Sequence, residues 1–290
     1  MRTRFACLFI VLVLCGSALS CVSTGTVVSA VQSAVVVGQA AAHAQEEFTP
    51  EQEYYLGRAV GAEVLAVYSP YNNVDANLYL NQLGQTLALF SSKPQTFGGY
   101  HFLILDSEDI NAFAAPGGLI FVTRGMIKCC ESEEALAAVL AHEIGHVQLE
   151  HGLEAIESSR SNEVFQVLAE ESLSTFGPGE LGLLVDLFGD SIKDITSTMI
   201  NNGYSREFER EADKAAVAIL REAGYEPSGL TAMLEVMQTR LNPQGTDFAK
   251  THPLPSERIQ ELGAIGVGMD TVQPLPGRQA RYEQFLAMVQ

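Results

Sequence analysis

From Thr49-Pro50-Glu51 onward the apolar residues Leu56, Val60, Val64 and Val67 recur at the spacing of one helix face. Pro50 falls at a first-turn position, with acids behind it. A second helix is predicted over residues 74–90. Two short apolar runs follow, His101–Leu105 and Leu119–Thr123, the latter rich in branched and aromatic residues, and both read as strands. Between them Pro116-Gly117-Gly118 marks a turn. Ser132 then stands as the N-cap of a long helix, Glu133 and Glu134 sit at its positive end, and Gly152 is its expected stop. Residues 160–200 read as further helices broken at Gly177-Pro178-Gly179; their apolar run, 181–188, is either core helix or a lid over a cleft. Ser205 opens a helix with Phe208, Ala212, Ala216 and Ile219 on one face, ending near Gly224; Pro227 starts another, and a short terminal helix follows Pro274. The pattern is that of an α+β chain, mainly α-helical, with a small sheet.

The N-terminus changes this picture. Met1-Arg2-Thr3-Arg4 precedes an uncharged apolar run, 5–19, of signal-peptide length and shorter than the roughly 20 residues a membrane span needs. Export is therefore expected. Ala18-Leu19-Ser20-Cys21 resembles a bacterial lipobox whose Leu sits one position late, and Ala42-His43-Ala44 offers a rival small-x-small cleavage site. On the lipobox reading Cys21 carries a lipid anchor and residues 21–46 form a flexible tether. The chain then divides into a signal at 1–20, that tether, a main domain at 47–265 and a C-terminal tail at 266–290.

A formal charge of −18 argues against nucleic acid or an anionic membrane surface as ligand, because both are bound through clustered Lys and Arg. Removal of residues 1–20 takes away Arg2 and Arg4 and no acid, leaving an even more acidic body. Of five cysteines, Cys7 and Cys15 belong to the signal, and the adjacent pair Cys129-Cys130 is ill placed to bridge itself. The pair reads as two small hydrophobes ahead of a helix.

Candidate chemistry centres on His142-Glu143-Ile144-Gly145-His146. Histidines four apart on a helix project from one face and can grip one ion, for which zinc is best suited. Glu143, next to the first histidine, can reach a water beside the ion, where a general base belongs. A third ligand is needed. The extended pattern with Gly three and His six residues further on fails, since those positions hold Leu149 and Gly152. His151 points away from the face and reads as a charge partner for the helix C-terminus. On the later helix Glu209 and Asp213 stand one turn apart; Glu209 could bind the ion while Asp213 accepts the N–H of a ligating histidine, His142 first among them. From these residues alone a solvated acidic face is the competing reading.

Taken together, Asn111-Ala112-Phe113-Ala114-Ala115-Pro116-Gly117-Gly118, the following Ile120-Phe121-Val122-Thr123-Arg124-Gly125, the histidine helix and Glu209-x-x-x-Asp213 resemble one family. It is the gluzincin zinc metallopeptidases of the HtpX, CAAX prenyl endopeptidase and BepA–LoiP type, over residues 50–262. The resemblance implies a zincin-like fold whose small sheet lays an edge strand beside the active-site helix. It implies one Zn2+ per chain held by His142, His146 and Glu209, with Glu207 and Glu211 outside the ligand set, Glu143 as catalytic base and Asp213 behind the ligands. It also implies that the strand after the turn, through Gly118, Ile120 and Val122, is the edge on which an extended substrate pairs. His252, in Thr251-His252-Pro253-Leu254-Pro255-Ser256-Glu257-Arg258, matches a segment found near the metal. It would either fill the open position or stabilise the oxyanion; a surface-loop histidine is the alternative.

The expected function is thus a zinc endopeptidase of the bacterial cell envelope, in the periplasm and attached to the outer membrane. It would act on polypeptide substrates that are unfolded or misassembled. The rival is a latent or non-catalytic assembly factor or chaperone whose zinc site is occluded by His252. A helical repeat extension present in some relatives is missing after about residue 262, which speaks against adaptor-style recruitment.

Overall fold

The structure is a computed structural model that describes residues 48–159, 203–240, 252–268 and 275–289, with Ile192, Lys193, Thr196, Ser197, Met199 and Ile200. The expected signal, tether, Cys21 anchor, Gly177-Pro178-Gly179 break and apolar run at 181–188 lie outside the described residues.

Helix α1 (Pro50–Val67) starts from a reciprocal cap: Gln52 N donates to Thr49 Oγ1 at 3.2 Å and Thr49 N to Gln52 Oε1 at 2.8 Å, with Pro50 in the first turn. α2 spans Val74–Ala88, two residues short of the predicted end, under an Asn73 cap. Strands β1 (His101–Leu105), β2 (Ala112–Ala115) and β3 (Leu119–Thr123) form one sheet in the order β1-β3-β2. β1 runs parallel to β3, His101 opposite Leu119; β2 runs antiparallel to it, Ala112 opposite Val122. The β2–β3 hairpin turns through Pro116–Gly118, where Gly117 has φ of +72° and Gly118 +95°, a region costly for any residue with a Cβ. Buried Glu53 of α1 fastens the turn, accepting from Gly117 N at 3.0 Å and from Lys93 at 2.7 Å.

This order corrects the expectation for Gly118, Ile120 and Val122. β3 is the central strand, hydrogen-bonded on both sides, and Gly118 lies in the turn. The edge next to the histidine helix belongs to β2, a strand absent from the sequence prediction.

After short α3 (Arg124–Cys129), α4 (Glu133–Gln148) runs through the centre. Its Ser132 cap accepts from Ala135 N at 3.2 Å, and every residue from Glu133 to Val147 is buried, so the helix has packed neighbours on all sides. Gly152 does not stop it. Glu150 takes the left-handed position (φ +59°) and Gly152 falls inside α5 (His151–Ser159). α6 (Arg206–Glu222), α7 (Ser228–Arg240), α8 (Pro255–Ala264) and α9 (Pro276–Val289) complete the described elements. α4 packs most extensively on α6 and then on α7. Cys129 and Cys130 are free thiols buried in the core.

The C-terminal helix is part of this core. Tyr282, Phe285 and Val289 are buried, and Phe285 stacks on Tyr79 at 4.3 Å. Arg281 clasps both oxygens of Glu133, the buried first residue of α4, which also accepts from the hydroxyls of Tyr79 and Tyr225 at 2.8 Å each. Arg281→Ala strips the main cation from a buried carboxylate; Arg281 is half exposed and Arg278 stays near, so the expected loss is about 2 kcal/mol, read by denaturant unfolding. An unchanged midpoint would contradict this anchoring.

Candidate metal centre

Four helical residues per turn-and-a-bit place His142 and His146 on one side of α4, facing α6. α6 begins at Ser205, whose hydroxyl accepts from Phe208 N at 3.2 Å, and this cap fixes Glu209 and Asp213 on its buried face. The two helices come unusually close at Gly145: a Cβ there would stand 2.9 Å from the carbonyl oxygen of Ala212 and 3.3 Å from the Cβ of Ala215.

The approach brings three donors together. Nε2 of His142 and Nε2 of His146 are 3.2 Å apart; Glu209 Oε2 is 3.5 Å from the first and Glu209 Oε1 3.4 Å from the second. Tetrahedral ligation with bonds of about 2.0–2.2 Å requires donor separations of roughly 3.3–3.6 Å. These separations match the edges of such a tetrahedron, with Glu209 presenting a different oxygen to each histidine. Glu209 Oε1 is buried without a hydrogen bond, as a ligand atom waiting for a cation would be.

Outer partners decide which nitrogen of each ring carries the proton. His142 Nδ1 is 2.9 Å from Asp213 Oδ1, and Asp213 is gripped by Arg258 at 2.6 and 3.0 Å. Burial alone would raise the Asp213 carboxyl, but Arg258 and His142 pull it down to about 2. Ionised, it accepts Nδ1–H and leaves His142 Nε2 as a lone pair aimed at Glu209 and His146. Burial and Arg258 lower His142, yet Asp213 and Glu209 outweigh them and hold it at about 9, so in the metal-free chain a proton competes for this ring. Burial drops His146 to about 3, which keeps it neutral.

Glu143 stands beside these donors. Its Oε1 is buried and without a hydrogen bond, and burial raises its carboxyl to about 7 despite His142. It lines a cavity of about 10 Å³, the space of about one water, with Ala112, Ala114, Tyr204 and His252. His252 reaches in from the segment before α8: its Nδ1 is 2.7 Å from Glu209 Oε2, and it forms with His142, His146 and Glu209 a group of four whose ligand atoms lie within 4.8 Å of one another. It is buried, so the surface-loop reading does not hold.

The structure thus gathers His142, Glu143, His146, Glu209, Asp213 and His252, and leaves Gly118, Ile120 and Val122 outside. His151 differs from expectation. Instead of serving the helix C-terminus it is buried, with Nδ1 2.9 Å from His146 Nδ1. Three residues here escaped the sequence reading: Arg258, Tyr204, whose ring stacks on His146 at 4.6 Å, and His151 in its actual role. Arg258 had one available signal, since a buried Asp213 needs a cation.

A histidine pair, a carboxylate and a buried base on a zincin-like frame define a metallopeptidase. The chain belongs to peptidase family M48, whose sequence profile matches residues 75–265 and so contains every one of these groups. It is similar to the beta-barrel assembly-enhancing protease of Escherichia coli (strain K12), 28% identical over 72% of this chain and 42% of that protein. It is also similar to metalloprotease LoiP of the same strain, 25% identical over 56% of this chain and 61% of the relative. Mitochondrial metalloendopeptidase OMA1 of Schizosaccharomyces pombe is 32% identical over 52% of this chain and 42% of its own length. The chain spans about two fifths of the length of the assembly-enhancing proteases it matches.

Gly145→Ala tests the helix contact. The added methyl meets backbone of α6, so α6 must retreat, at a cost of about 1–3 kcal/mol. Metal affinity should fall about tenfold as Glu209 moves away from the two histidines. Equilibrium unfolding and a chelator competition measure the two, and wild-type values in both would remove Gly145 from the account.

Proposed function

We propose that this chain is a zinc endopeptidase of the bacterial cell envelope that hydrolyses peptide bonds in unfolded or misassembled proteins, with Glu143 as general base. The observation that carries the reading is the cluster of His142, His146 and Glu209 donors with Glu143 Oε1, buried and without a hydrogen bond, beside it. His142, His146 and Glu209 would hold the ion. Zinc, when bound there, supplies Lewis acidity toward water and toward a scissile carbonyl.

The chain's own groups do the rest. Glu143 Oε1 takes the proton of the attacking water and delivers it to the departing amine. Asp213, kept ionised by Arg258, holds His142 in the ligating tautomer. The substrate strand lies on β2. Thr123 N donates to Asn111 O at 3.1 Å, and with Ala112 opposite Val122 the alternation of an antiparallel ladder turns the peptide groups of Ala112 and Ala114 away from β3. Those are the groups that line the cavity with Glu143, and an extended peptide pairs with them by main chain. The Ala112 N–H is met by Asn111 Oδ1 at 2.9 Å, which leaves Ala114 as the principal docking residue.

The names of the relatives support an envelope role: one assembly-enhancing protease of E. coli is called so for β-barrel assembly. Residues 1–20 as an export signal, with lipid on Cys21 and attachment to the outer membrane, complete the proposal.

His252 is the gate in this reading. Its contact with Glu209 and the cavity of about one water beside Glu143 support a latent state of the site. The same observations favour a second reading, an assembly factor whose site stays covered.

Glu143→Gln should bind one zinc per chain and cleave no casein, while the wild type cleaves it and stops when a chelator is added. Turnover by the variant would overturn the base assignment. His252→Ala should raise casein cleavage severalfold. A large loss would assign His252 to the oxyanion instead, and no cleavage by either protein would favour the assembly factor.

A further inference from the structure

Among the described residues no carboxylate stands behind His146. Its Nδ1 meets Nδ1 of His151 at 2.9 Å, and the other nitrogen of that ring, Nε2, meets Glu211 Oε2 at 3.2 Å. We propose that His151 and Glu211 are positioning residues of the metal centre: Glu211 fixes the tautomer of His151, and His151 in turn fixes that of His146. The inference rests on His146 being a ligand, as read above.

Between two neutral rings the shared proton can sit on only one of the facing nitrogens. Two Nδ1 atoms at 2.9 Å form a hydrogen bond only if one carries the hydrogen and the other the lone pair. Were His151 the donor, His146 would carry its proton on Nε2, pointing at Nε2 of His142, and could bind no ion. Glu211 removes that choice. As an acceptor it draws the His151 proton to Nε2, so His151 Nδ1 must accept and His146 Nδ1 must donate. His146 Nε2 is then a lone pair directed at the other donors.

The surroundings are built for this. The left-handed turn at Glu150, unfavourable for a residue with a Cβ, is what swings His151 back from the end of α4 to its position behind His146. Its ring then stacks on Phe208 at 4.4 Å with the planes 4° apart. Phe208 and Glu211 are three apart on α6 and hold the ring from one side of the helix. The same helix thus supplies the ligand Glu209, the acceptor for His142, and the clamp for the partner of His146. The two supports are unequal. Asp213 is buried beside a guanidinium, whereas the Glu211 side chain is 47% exposed and acts through an uncharged ring. His146 is the more weakly braced ligand.

Zinc affinity of the metal-stripped full chain, by competition with a chromophoric chelator, tests this alongside the thermal midpoint of the metal-free protein. His151→Phe keeps the stack and loses the acceptor, and should bind zinc about 10–100-fold more weakly with its metal-free midpoint unchanged. His151→Asn, whose Oδ1 can stand where Nδ1 stood, should recover most of the affinity. Glu211→Ala, at an exposed site, should weaken binding severalfold alone and add nothing on top of His151→Phe. Wild-type affinity in Glu211→Ala, or equal losses in the Phe and Asn variants, would overturn the relay. His146→Ala is the control: if it retains wild-type affinity, His146 is no ligand and the underlying reading fails; if it alone loses zinc, only the relay fails.

Discussion

Everything in this centre depends on how closely α4 and α6 can approach. Gly145 sits where the helices cross, almost against the Ala212 backbone, and that contact sets Glu209 at 3.4–3.5 Å from two histidine nitrogens. No covalent or local constraint relates residues 142 and 209. The distance is fixed by packing of small side chains, Ala212, Ala215 and Ala216 among them, in a core too dense to yield by half an ångström without cost. A helix packed on all sides is needed as the fixed partner, and α4, buried from Glu133 to Val147, is that partner.

Placing polar atoms in such a core creates an electrostatic demand. Two imidazole lone pairs and a carboxylate face one another where water is excluded, and nothing in the described residues neutralises them except a proton on His142 or the His252 contact with Glu209. A divalent cation answers the demand directly. The outer contacts determine which atoms are lone pairs, Arg258 and Asp213 for one ring, Glu211 and His151 for the other. The C-terminal helix acts at longer range, bracing the first turn of α4 through Glu133.

What the sequence made legible follows from locality. His142, Glu143 and His146 share one helix face by spacing alone, and Glu209 with Asp213 does the same; resemblance chose between a ligand pair and a solvated face. The Ser132 cap and the helix start at Ser205 were readable because each cap acts within three residues. The misses are non-local. β2, built from Ala112, Ala114 and Ala115 around one phenylalanine, lacks branched residues and becomes a strand only by pairing with β3. That pairing makes β3 central and puts β2 at the sheet edge beside α4. The left-handed Glu150 hides behind an ordinary glutamate, so a helix expected to run to Gly152 breaks early and His151 changes its role. Arg258 belongs to a pattern only once Asp213 is known to be buried.

X-ray absorption at the zinc edge of the metal-loaded full chain tests the central claim most directly. The account predicts a first shell of nitrogen and oxygen alone at about 2.0–2.1 Å, with the outer scattering of two imidazoles, or three when His252 closes on the ion. A sulfur neighbour at about 2.3 Å, which would draw in Cys129 or Cys130, or a shell without imidazole, would contradict it.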